Sequence, residues 1–373
     1  MKNEFLIDSV ALLSPLAGIG RYNAEIAKLL PQFDVNANYK YYYGFVSDKV
    51  ILPSSETRSL STLGLAKKII INNRVAKKLT RAGLRVYNSL TMPIYDLYWQ
   101  PNFIPRDDIK TKKIITTVHD FSWHIEPSWH PKERADDMQK RFWDGIKRTD
   151  RIITGSEFTK QEIIKYLNYS ADKIDVIYHG VDHSVFYPSN EITLDLPKKY
   201  ILAVGSIEPR KNLINLLKAY DTFDAEFKNE YKLILVGFKG WNNSDIMSII
   251  EKNKTNIIYL GYINDNELRE VYSRASVFVY PSLYEGFGIP PLEAMACGTA
   301  VVVSNVSSLP EACGDSALYI NPLCIDEIIA AIKSILENSA LQNEYKQKGI
   351  KWAANFTWQE STKKHIESFY KTL

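Results

Sequence analysis

Two glutamates stand eight positions apart in one glycine- and proline-rich stretch of this 373-residue chain. The stretch, YEGFGIPPLEAMACGTAVV, runs from Tyr284 to Val302 and contains Glu285 and Glu293. It follows a strand-like run, and its two prolines delay the next helix, because a residue before proline avoids the helical region. We therefore expect Glu285 on the loop and Glu293 in the first helical turn.

A loop of this composition can hold a phosphorylated sugar. Free N–H groups at a helix start attract anions, and glycines let a ligand approach the backbone closely. A diphosphate could lie at this helix start, with both carboxylates accepting hydrogen bonds from sugar hydroxyls. The alternative is that Glu293 only complements the helix dipole.

A second stretch, GSIEPRKNL at 205–213, places two cations in a turn between a strand and a helix. Arg210 offers a forked guanidinium and Lys211 offers a point charge, and both suit phosphate oxygens. The same residues could equally form an ordinary solvated basic turn.

A third stretch, TTVHDFSWHIEPSWHP at 116–131, ends a strand with a histidine and an aspartate. His119 could hydrogen-bond a sugar hydroxyl, and Asp120 could act as a base or orient an acceptor. Trp123 and Trp129 offer faces on which a sugar ring could stack, although at least half of the tryptophans here are expected in the core. The spacing of the nearby histidines matches no zinc pattern, so no metal site is expected.

A glycine-containing loop, SPLAGIGRYNAEI at 14–26, follows the first strand. Asn23 stands where a dinucleotide-binding pattern has its third glycine or alanine, which argues against a dehydrogenase. Gly18 and Gly20 remain suited to the close approach of a phosphate or an acceptor. The chain has no Gly-x4-Gly-Lys phosphate loop and no Asp-x-Asp pair. We therefore expect neither an ATPase nor a metal-bound diphosphate, and no cofactor.

These stretches must be positioned by strands, because short β-branched runs alternate with amphipathic helical patterns along the chain. We predict strands at 5–10, 39–45, 113–119, 151–156 and 174–180, and again at 200–206, 231–237, 256–261, 277–282 and 299–304. Continuous apolar strands of this kind predict parallel sheets and an α/β fold. The pattern restarts after a proline-containing stretch near 186–198, which predicts two doubly wound, Rossmann-like domains that face a cleft.

Composition and charge narrow the class of protein. Apolar content of 45% and charged content of 24% are ordinary for a globular chain long enough for two domains. Three cysteines without a Cys-x-x-Cys pair predict small buried residues in a reducing compartment. No signal peptide and no membrane-spanning helix are expected.

The segment 57–95 carries eight basic residues and no acidic one. Five of them, at 67, 74, 78, 81 and 85, share one helical face, which predicts an amphipathic helix on an anionic membrane surface. A solvated basic face is the alternative. No nucleic-acid motif accompanies the charge, so no nucleic-acid partner is expected.

Together these stretches resemble the retaining glycosyltransferases of family 4, which have the two-domain GT-B fold. The resemblance covers nearly the whole chain and is strongest in 200–325. The family's E-x7-E motif is matched by YEGFGIPPLEAMACGTAVV, and its cationic donor loop is matched by GSIEPRKN. The family's N-terminal glycine loop is matched by AGIGRY, and its strand-end histidine by VHD. YHGVDHSVFYP and SSLPEACGDSALYINP resemble the segments before the linker and after the site. The sequences of these motifs are most similar to those of bacterial mannosyltransferases of O-antigen and polysaccharide assembly.

The resemblance implies roles for the matched residues. The cations would hold the donor diphosphate, Glu285 and the backbone of the following loop would contact the transferred sugar, and Glu293 would bind the ribose hydroxyls. The residues that it implies for catalysis are Arg210, Lys211, Glu285 and His119. Those that it implies for donor binding are Gly20, Glu293, Phe287, Gly288 and Ile289.

The resemblance also implies an arrangement of domains and a reaction. Residues 1–185 would bind the acceptor, residues 199–355 would bind the nucleotide sugar, and a last helix at 356–373 would pack back on the first domain. We expect metal-independent transfer of mannose from GDP-mannose to a glycan or lipid-linked oligosaccharide, with retention of configuration. Front-face attack is expected, in which the donor phosphate takes the acceptor proton. The expected location is the cytoplasmic face of the inner membrane, as a peripheral protein.

Two other functions stay open at this point. One is a non-hydrolysing sugar-nucleotide epimerase, which can share the two-domain fold. The other is a catalytically silent partner in polysaccharide assembly, although a silent protein need not keep both cations and both glutamates.

Overall fold

The computed structural model describes residues 2–13, 18–52, 83 and 91–373. Two parallel sheets, each covered by helices on both faces, confirm the predicted α/β class with two doubly wound domains.

The N-terminal sheet has the strand order β3-β2-β1-β4-β5-β6-β7. Its strands are β1 (Asn3–Asp8), β2 (Ala37–Tyr42), β3 (Val46–Ser47), β4 (Tyr95–Gln100), β5 (Thr111–Thr117), β6 (Arg151–Thr154) and β7 (Ile174–Val176). All neighbouring pairs are parallel except β2 with the short strand β3.

The C-terminal sheet is fully parallel, with the order β10-β9-β8-β11-β12-β13. Its strands are β8 (Tyr200–Val204), β9 (Lys232–Val236), β10 (Ile257–Gly261), β11 (Val277–Tyr280), β12 (Val301–Ser304) and β13 (Leu318–Ile320). The strand order reverses between β8 and β11, and ligands of open α/β sheets bind at such a position.

Among the described residues, the helices of the N-terminal half connect consecutive strands. They are α1 (Ile19–Phe33), α2 (Ser122–Ile125), α3 (Lys132–Ile146) and α4 (Glu157–Leu167). Those of the C-terminal half are α5 (Leu213–Asp221), α6 (Ala225–Glu230), α7 (Ser244–Lys252), α8 (Asp265–Arg274), α9 (Ile289–Ala296), α10 (Leu309–Cys313), α11 (Ile325–Glu337), α12 (Ser339–Ala353) and α13 (Trp358–Thr372).

The central strand β4 was not among the predicted strands. Its sequence, YDLYWQ, has no β-branched residue, so it lacks the composition from which the other strands were predicted. Trp99 is fully buried there, and its Nε1 donates to Thr117 Oγ1 on β5 at 3.0 Å. The short strands β3 and β13 were missed as well.

The last helix, α13, packs on α1 of the N-terminal domain. Phe369 is buried against Phe5 and Trp99 of the first sheet, and the ring of Trp358 is buried against Tyr22 in the same cluster. Two polar contacts extend this packing: Tyr22 Oη lies 2.6 Å from His365 Nε2, and Tyr370 Oη donates to Asp34. The chain therefore crosses between the domains twice.

The basic segment at 57–95, with its predicted helix, lies outside the described residues except for Gly83 and the stretch 91–95. Across the part of the chain that is described, none of the helices combines the length and the apolar character that crossing a bilayer requires.

Candidate active site

The loop between β11 and α9 carries the Glu-x7-Glu stretch to the cleft between the domains. Gly288 has φ of 126° and immediately precedes α9, which starts at Ile289. Glu293 is thus the fifth residue of the helix and lies just beyond the first turn, so the expectation that it lies in that turn was wrong. Glu285 lies on the loop, as predicted.

Glu285 lies between the two cations of the GSIEPRKN turn. Lys211 Nζ is 2.6 Å from Glu285 Oε1, and Arg210 Nη1 is 2.7 Å from Oε2. The same Lys211 nitrogen contacts Tyr280 Oη at 2.6 Å. The two motifs, 74 and 75 positions apart in sequence, therefore form one charged cluster.

The turn at 209–211 is held in place from both sides. Glu208 Oε1 accepts a hydrogen bond from Arg210 Nη2 at 3.0 Å. Asn212, whose φ of 53° is left-handed, donates to the carbonyls of Pro281 and Pro322 at 3.0 and 2.8 Å. The turn is thus fastened to the exit of β11, beside the loop that carries Glu285.

Burial and neighbouring charges shift the pKa values in this cluster in opposite directions. Burial alone would raise the pKa of Glu285, but the charges of Arg210 and Lys211 outweigh it and lower the pKa to about 2. Burial lowers the pKa of Lys211, opposed by the Glu285 charge. Burial would also lower the pKa of Arg210, but the Glu285 charge outweighs it and raises that pKa. Glu285 is therefore ionised at neutral pH.

Glu293 faces the N-terminal domain. Its Oε1 lies 3.4 Å from Arg21 Nη1, and its Oε2 accepts from Tyr272 Oη at 3.2 Å. Arg21 also forms an ion pair with Asp265 at the start of α8. Burial raises the pKa of Glu293, while the Arg21 charge opposes that rise. A ribose that binds Glu293 would lie beside the ion pair between Glu293 and Arg21.

His119 and Asp120 follow β5 at the cleft. His119 Nε2 is 2.8 Å from the carbonyl oxygen of Pro101, which assigns the proton to Nε2 and leaves Nδ1 as a hydrogen-bond acceptor. Burial lowers the pKa of His119, which favours the neutral ring. Asp120 Oδ1 accepts from the N–H and the hydroxyl of Ser122 at 3.0 and 2.8 Å, and Ser122 Oγ lies 2.9 Å from His130 Nε2. These contacts fix the orientation of the Asp120 carboxylate.

The two tryptophans expected at an acceptor surface differ in placement. Trp123 is only 3% exposed and packs against Phe142 and Trp143, yet it is among the residues that line the cleft. Its contact with an acceptor stays a prediction. Trp129 is half-buried, and its carbonyl oxygen accepts a hydrogen bond from Trp241 Nε1 of the C-terminal domain at 2.6 Å.

The remaining predicted donor-site residues lie on two facing helix starts. Gly20 is the second residue of α1 and is buried, whereas Gly18 lines the cleft. Phe287, Gly288 and Ile289 line the cleft from the other domain. The Phe287 ring packs against Tyr178 and His179, so its backbone rather than its ring is available to a ligand.

Several cleft residues were missed by the sequence analysis. Arg21 could have been found from its position directly after Gly20. Glu208 could have been found as a third charged residue in the GSIEPRKN turn. His179 had a weaker signal: it lies in YHGVDHSVFYP, is buried against Tyr22 and Phe287, and has no hydrogen-bond partner for Nδ1 among the described residues.

The cleft has a volume of about 1440 Å³ and is lined by both domains. This volume accommodates a nucleotide sugar together with part of an acceptor. Within the described ranges, no group of three or more histidine, cysteine and acidic side chains has the arrangement of a metal site.

Two family models match the chain over complementary ranges. The model described as Glycosyl transferases group 1 matches residues 189–352, and the one described as Glycosyltransferase Family 4 matches residues 99–185. O-antigen chain mannosyltransferase B of Escherichia coli is 34% identical over 382 aligned positions, which cover 96% of this chain and 97% of that protein. The chain belongs to the family 4 glycosyltransferases.

Further relatives and solved structures agree with this assignment. O-antigen chain mannosyltransferase RfbU of Salmonella typhimurium is 35% identical over 59% of this chain and 60% of its own length. The structure of WaaG, a glycosyltransferase involved in lipopolysaccharide biosynthesis, superposes with a TM-score of 0.71 at 13% identity and covers 98% of this chain and 99% of its own. The Anabaena Alr3699/HepE structure in complex with UDP and glucose superposes with a TM-score of 0.71 at 15% identity. The superposition covers 99% of this chain and 100% of that one. The predicted GT-B fold of this glycosyltransferase is confirmed.

Proposed function

We propose that this glycosyltransferase transfers mannose from GDP-mannose to a glycan or lipid-linked oligosaccharide in cell-surface polysaccharide (O-antigen) synthesis, with retention of configuration and without a metal. The observation that carries the proposal is the buried cluster of Arg210, Lys211 and Glu285 at the cleft. The mannosyl and O-antigen assignments are supported by the names of the two relatives given above.

The charged cluster supports a phosphate-leaving reaction. Departure of the nucleoside diphosphate places negative charge on a phosphate oxygen, and Arg210 and Lys211 are the cations that would stabilise it. Because Glu285 keeps both cations oriented before a donor arrives, they need little rearrangement when the phosphate replaces part of that contact. The start of α9 at the same cleft adds a partial positive charge.

The same cluster supports front-face attack. A carboxylate that is hydrogen-bonded to two cations and whose pKa is lowered to about 2 is a weak nucleophile and a weak base. Glu285 is therefore better suited to orient cations and sugar hydroxyls than to form a glycosyl–enzyme bond. Trapping a covalent sugar on Glu285 or Asp120 would overturn this mechanism.

The decisive experiment incubates the enzyme with GDP-mannose and a mannosylated lipid analogue. Product that requires the acceptor supports transfer, whereas isomerised donor without acceptor would indicate an epimerase. Absence of any turnover of the tested donors would favour a silent partner. NMR of the product reports the anomeric configuration, and addition of EDTA should leave the rate unchanged.

A donor panel tests the nucleotide separately. Thermal shift with GDP-, UDP-, ADP- and dTDP-sugars ranks the nucleotides, because a ligand at 100 times its dissociation constant stabilises the fold by about 2.7 kcal/mol. The largest shift is expected for the GDP-sugar. A larger shift with another base would replace guanosine in the proposal and leave the transfer itself intact.

We also propose that the enzyme is peripheral on the cytoplasmic face of the inner membrane, bound through the basic segment 57–95. Two exposed apolar residues, Phe45 before that segment in sequence and Ile94 within it, would add to the contact. Co-sedimentation with anionic vesicles, but not with neutral ones, is the expected result. Glutamine at positions 67, 74, 78, 81 and 85 should abolish it, and equal binding to neutral vesicles would contradict the electrostatic basis.

A further inference from the structure

The loop that carries Glu285 belongs to the C-terminal domain by sequence, but it is held by the N-terminal domain. Tyr284, the residue before Glu285, is buried and its hydroxyl bonds to Glu162 of α4. The backbone N–H of Phe121 donates to the same hydroxyl at 3.0 Å. One tyrosine hydroxyl thus joins two N-terminal elements to the sugar-contacting loop.

The next turn of the loop repeats this contact. The carbonyl oxygen of Gly286 accepts from Ser156 Oγ at 2.8 Å and from Thr159 Oγ1 at 3.3 Å. A Cβ added at Gly286 would lie 2.0 Å from the carbonyl oxygen of His119, so the two domains touch through bare backbone here. Gly286 is required by this close approach rather than by its φ.

A third contact lies at the start of α4. Glu311 on α10 of the C-terminal domain accepts from the backbone N–H groups of Glu157 and Phe158 at 2.7 and 3.1 Å. A carboxylate from one domain therefore satisfies free N–H groups at a helix start of the other. Together the three contacts fasten the loop and α10 to one helix of the N-terminal domain.

The Tyr284 contact also sets the charged cluster. The carbonyl oxygen of Tyr284 accepts from Arg210 Nη1 at 2.8 Å, and the same nitrogen contacts Glu285. Any displacement of Tyr284 therefore moves the partner of Arg210 and the backbone of Glu285 together.

We propose that Tyr284 and Glu162 are positioning residues for sugar transfer: their contact across the domain boundary sets the placement of Glu285 and Arg210. The inference rests on the proposed function for its kinetic consequence. Its structural part, the domain contact itself, is independent of which sugar is transferred.

Glu162 makes this contact sensitive to pH. The side chain is 8% exposed, and burial raises its pKa to about 7, against the opposing hydrogen bond from Tyr284. The other charges that face it are Asp120, which adds to the rise, and Lys165, which opposes it. The ionised carboxylate is the stronger acceptor for the Tyr284 hydroxyl, so the loop is held best above pH 7.

The first test compares Tyr284→Phe with Tyr169→Phe as its control. Tyr169 also donates its hydroxyl to an oxygen, the Thr149 carbonyl, but that bond lies within the N-terminal domain. Tyr284→Phe should lower kcat about tenfold with little change in the donor KM, because one hydrogen bond is lost from the positioned loop. Tyr169→Phe should leave kcat within twofold. Equal effects of the two variants would overturn the positioning role.

The second test uses Glu162→Gln, which keeps an acceptor for Tyr284 but removes the titration. Wild-type kcat/KM should rise through an inflection near pH 7, and the variant should lack that inflection. An unchanged inflection in the variant would contradict the proposal.

The stability comparison needs no activity, so its outcome is separate from the proposed function. A carboxyl whose folded pKa is raised binds more protons when folded, so its ionisation destabilises the fold as pH rises from about 4.5 through 7. The melting temperature of the wild type should therefore fall relative to Glu162→Gln over that window. Parallel melting curves against pH would overturn the buried, titrating contact even if sugar transfer is confirmed.

Discussion

Both carboxylate oxygens of Glu285 are engaged by cations, and this determines what the residue can do. A carboxylate with a free oxygen near an anomeric carbon could serve as a nucleophile, but Lys211 and Arg210 each contact one oxygen at 2.6 and 2.7 Å. The geometry is instead that of a support for the two cations that we propose bind the donor phosphate. At the residue scale, the chemistry therefore depends on the cations, and Glu285 keeps them in place.

We expect Lys211→Ala to lower kcat by roughly 10²–10³, because one of the two cations that stabilise the leaving diphosphate is lost. Circular dichroism should show an intact fold, since Arg210 remains paired with Glu285. Lys218→Ala, at an exposed position of α5, is the matched control and should retain full activity. Turnover of Lys211→Ala within a factor of three of wild type would contradict the role of Lys211.

Residue types within a motif were predictable, whereas contacts between motifs were not. The sequence contains the spacing that puts Glu285 on a loop and the two cations in a turn. It contains no signal that Arg21 meets Glu293, 272 positions away, because such pairs depend on how two domains pack. The same limit applies to Trp123: an aromatic side chain suits a sugar and a core equally well, and its sequence did not show that it packs deep in the domain while it lines the cleft.

At the scale of elements, strand identity was predictable where β-branched residues are continuous. The run VVVS of β12 is a buried interior strand, as expected from its composition. The run YDLYWQ of β4 lies at the middle of its sheet, but its pattern of aromatic and polar residues does not distinguish a strand from a binding loop. This segment is a strand because it pairs with β1 on one side and β5 on the other. Such pairing depends on residues distant in sequence, so the segment's own residues do not reveal it.

The loop that carries Glu285 lies close to the backbone of His119, just after β5, and this contact gives a prediction for Gly286→Ala. The added Cβ would lie 2.0 Å from the His119 carbonyl oxygen, so the loop must move away from the N-terminal domain. We expect loss of sugar transfer by more than tenfold while each domain stays folded. Gly83→Ala is the control, because a Cβ at Gly83 meets nothing within 4 Å among the residues that the structure describes. Full activity of Gly286→Ala would show that the contact is not required.

At the scale of the whole molecule, the two domains are linked by more than the chain crossings. Arg21 on α1 contacts Asp265 and Glu293 of the other domain, and its guanidinium lies 5.6 Å from the centre of the Phe186 ring. These carboxylates lie at the cleft, where a nucleotide sugar would bind. We therefore expect closure of the cleft and binding of the donor to involve the same side chains.

This arrangement predicts that Arg21→Met raises the donor KM about fivefold and changes kcat less. Methionine keeps apolar packing against Phe186 but leaves the buried Glu293 without its cation, so the domains are held less tightly over the nucleotide. Lys28→Met is the control, since Lys28 lies on the same helix and pairs with Glu25 within it. Small-angle scattering of the donor-bound enzyme should show a larger radius of gyration for Arg21→Met than for Lys28→Met.

A double-mutant cycle with Asp265→Asn separates this domain contact from a general loss of stability. If Arg21 acts through Asp265, the effect of Arg21→Met on donor affinity should shrink in the Asp265→Asn background, with a coupling free energy of about 1 kcal/mol for this partly exposed pair. Strictly additive effects would mean that the ion pair contributes nothing to closure. Because Asp265 lies at the start of α8 and Arg21 near the start of α1, a measured coupling would show that the two helix starts close on the donor as a unit.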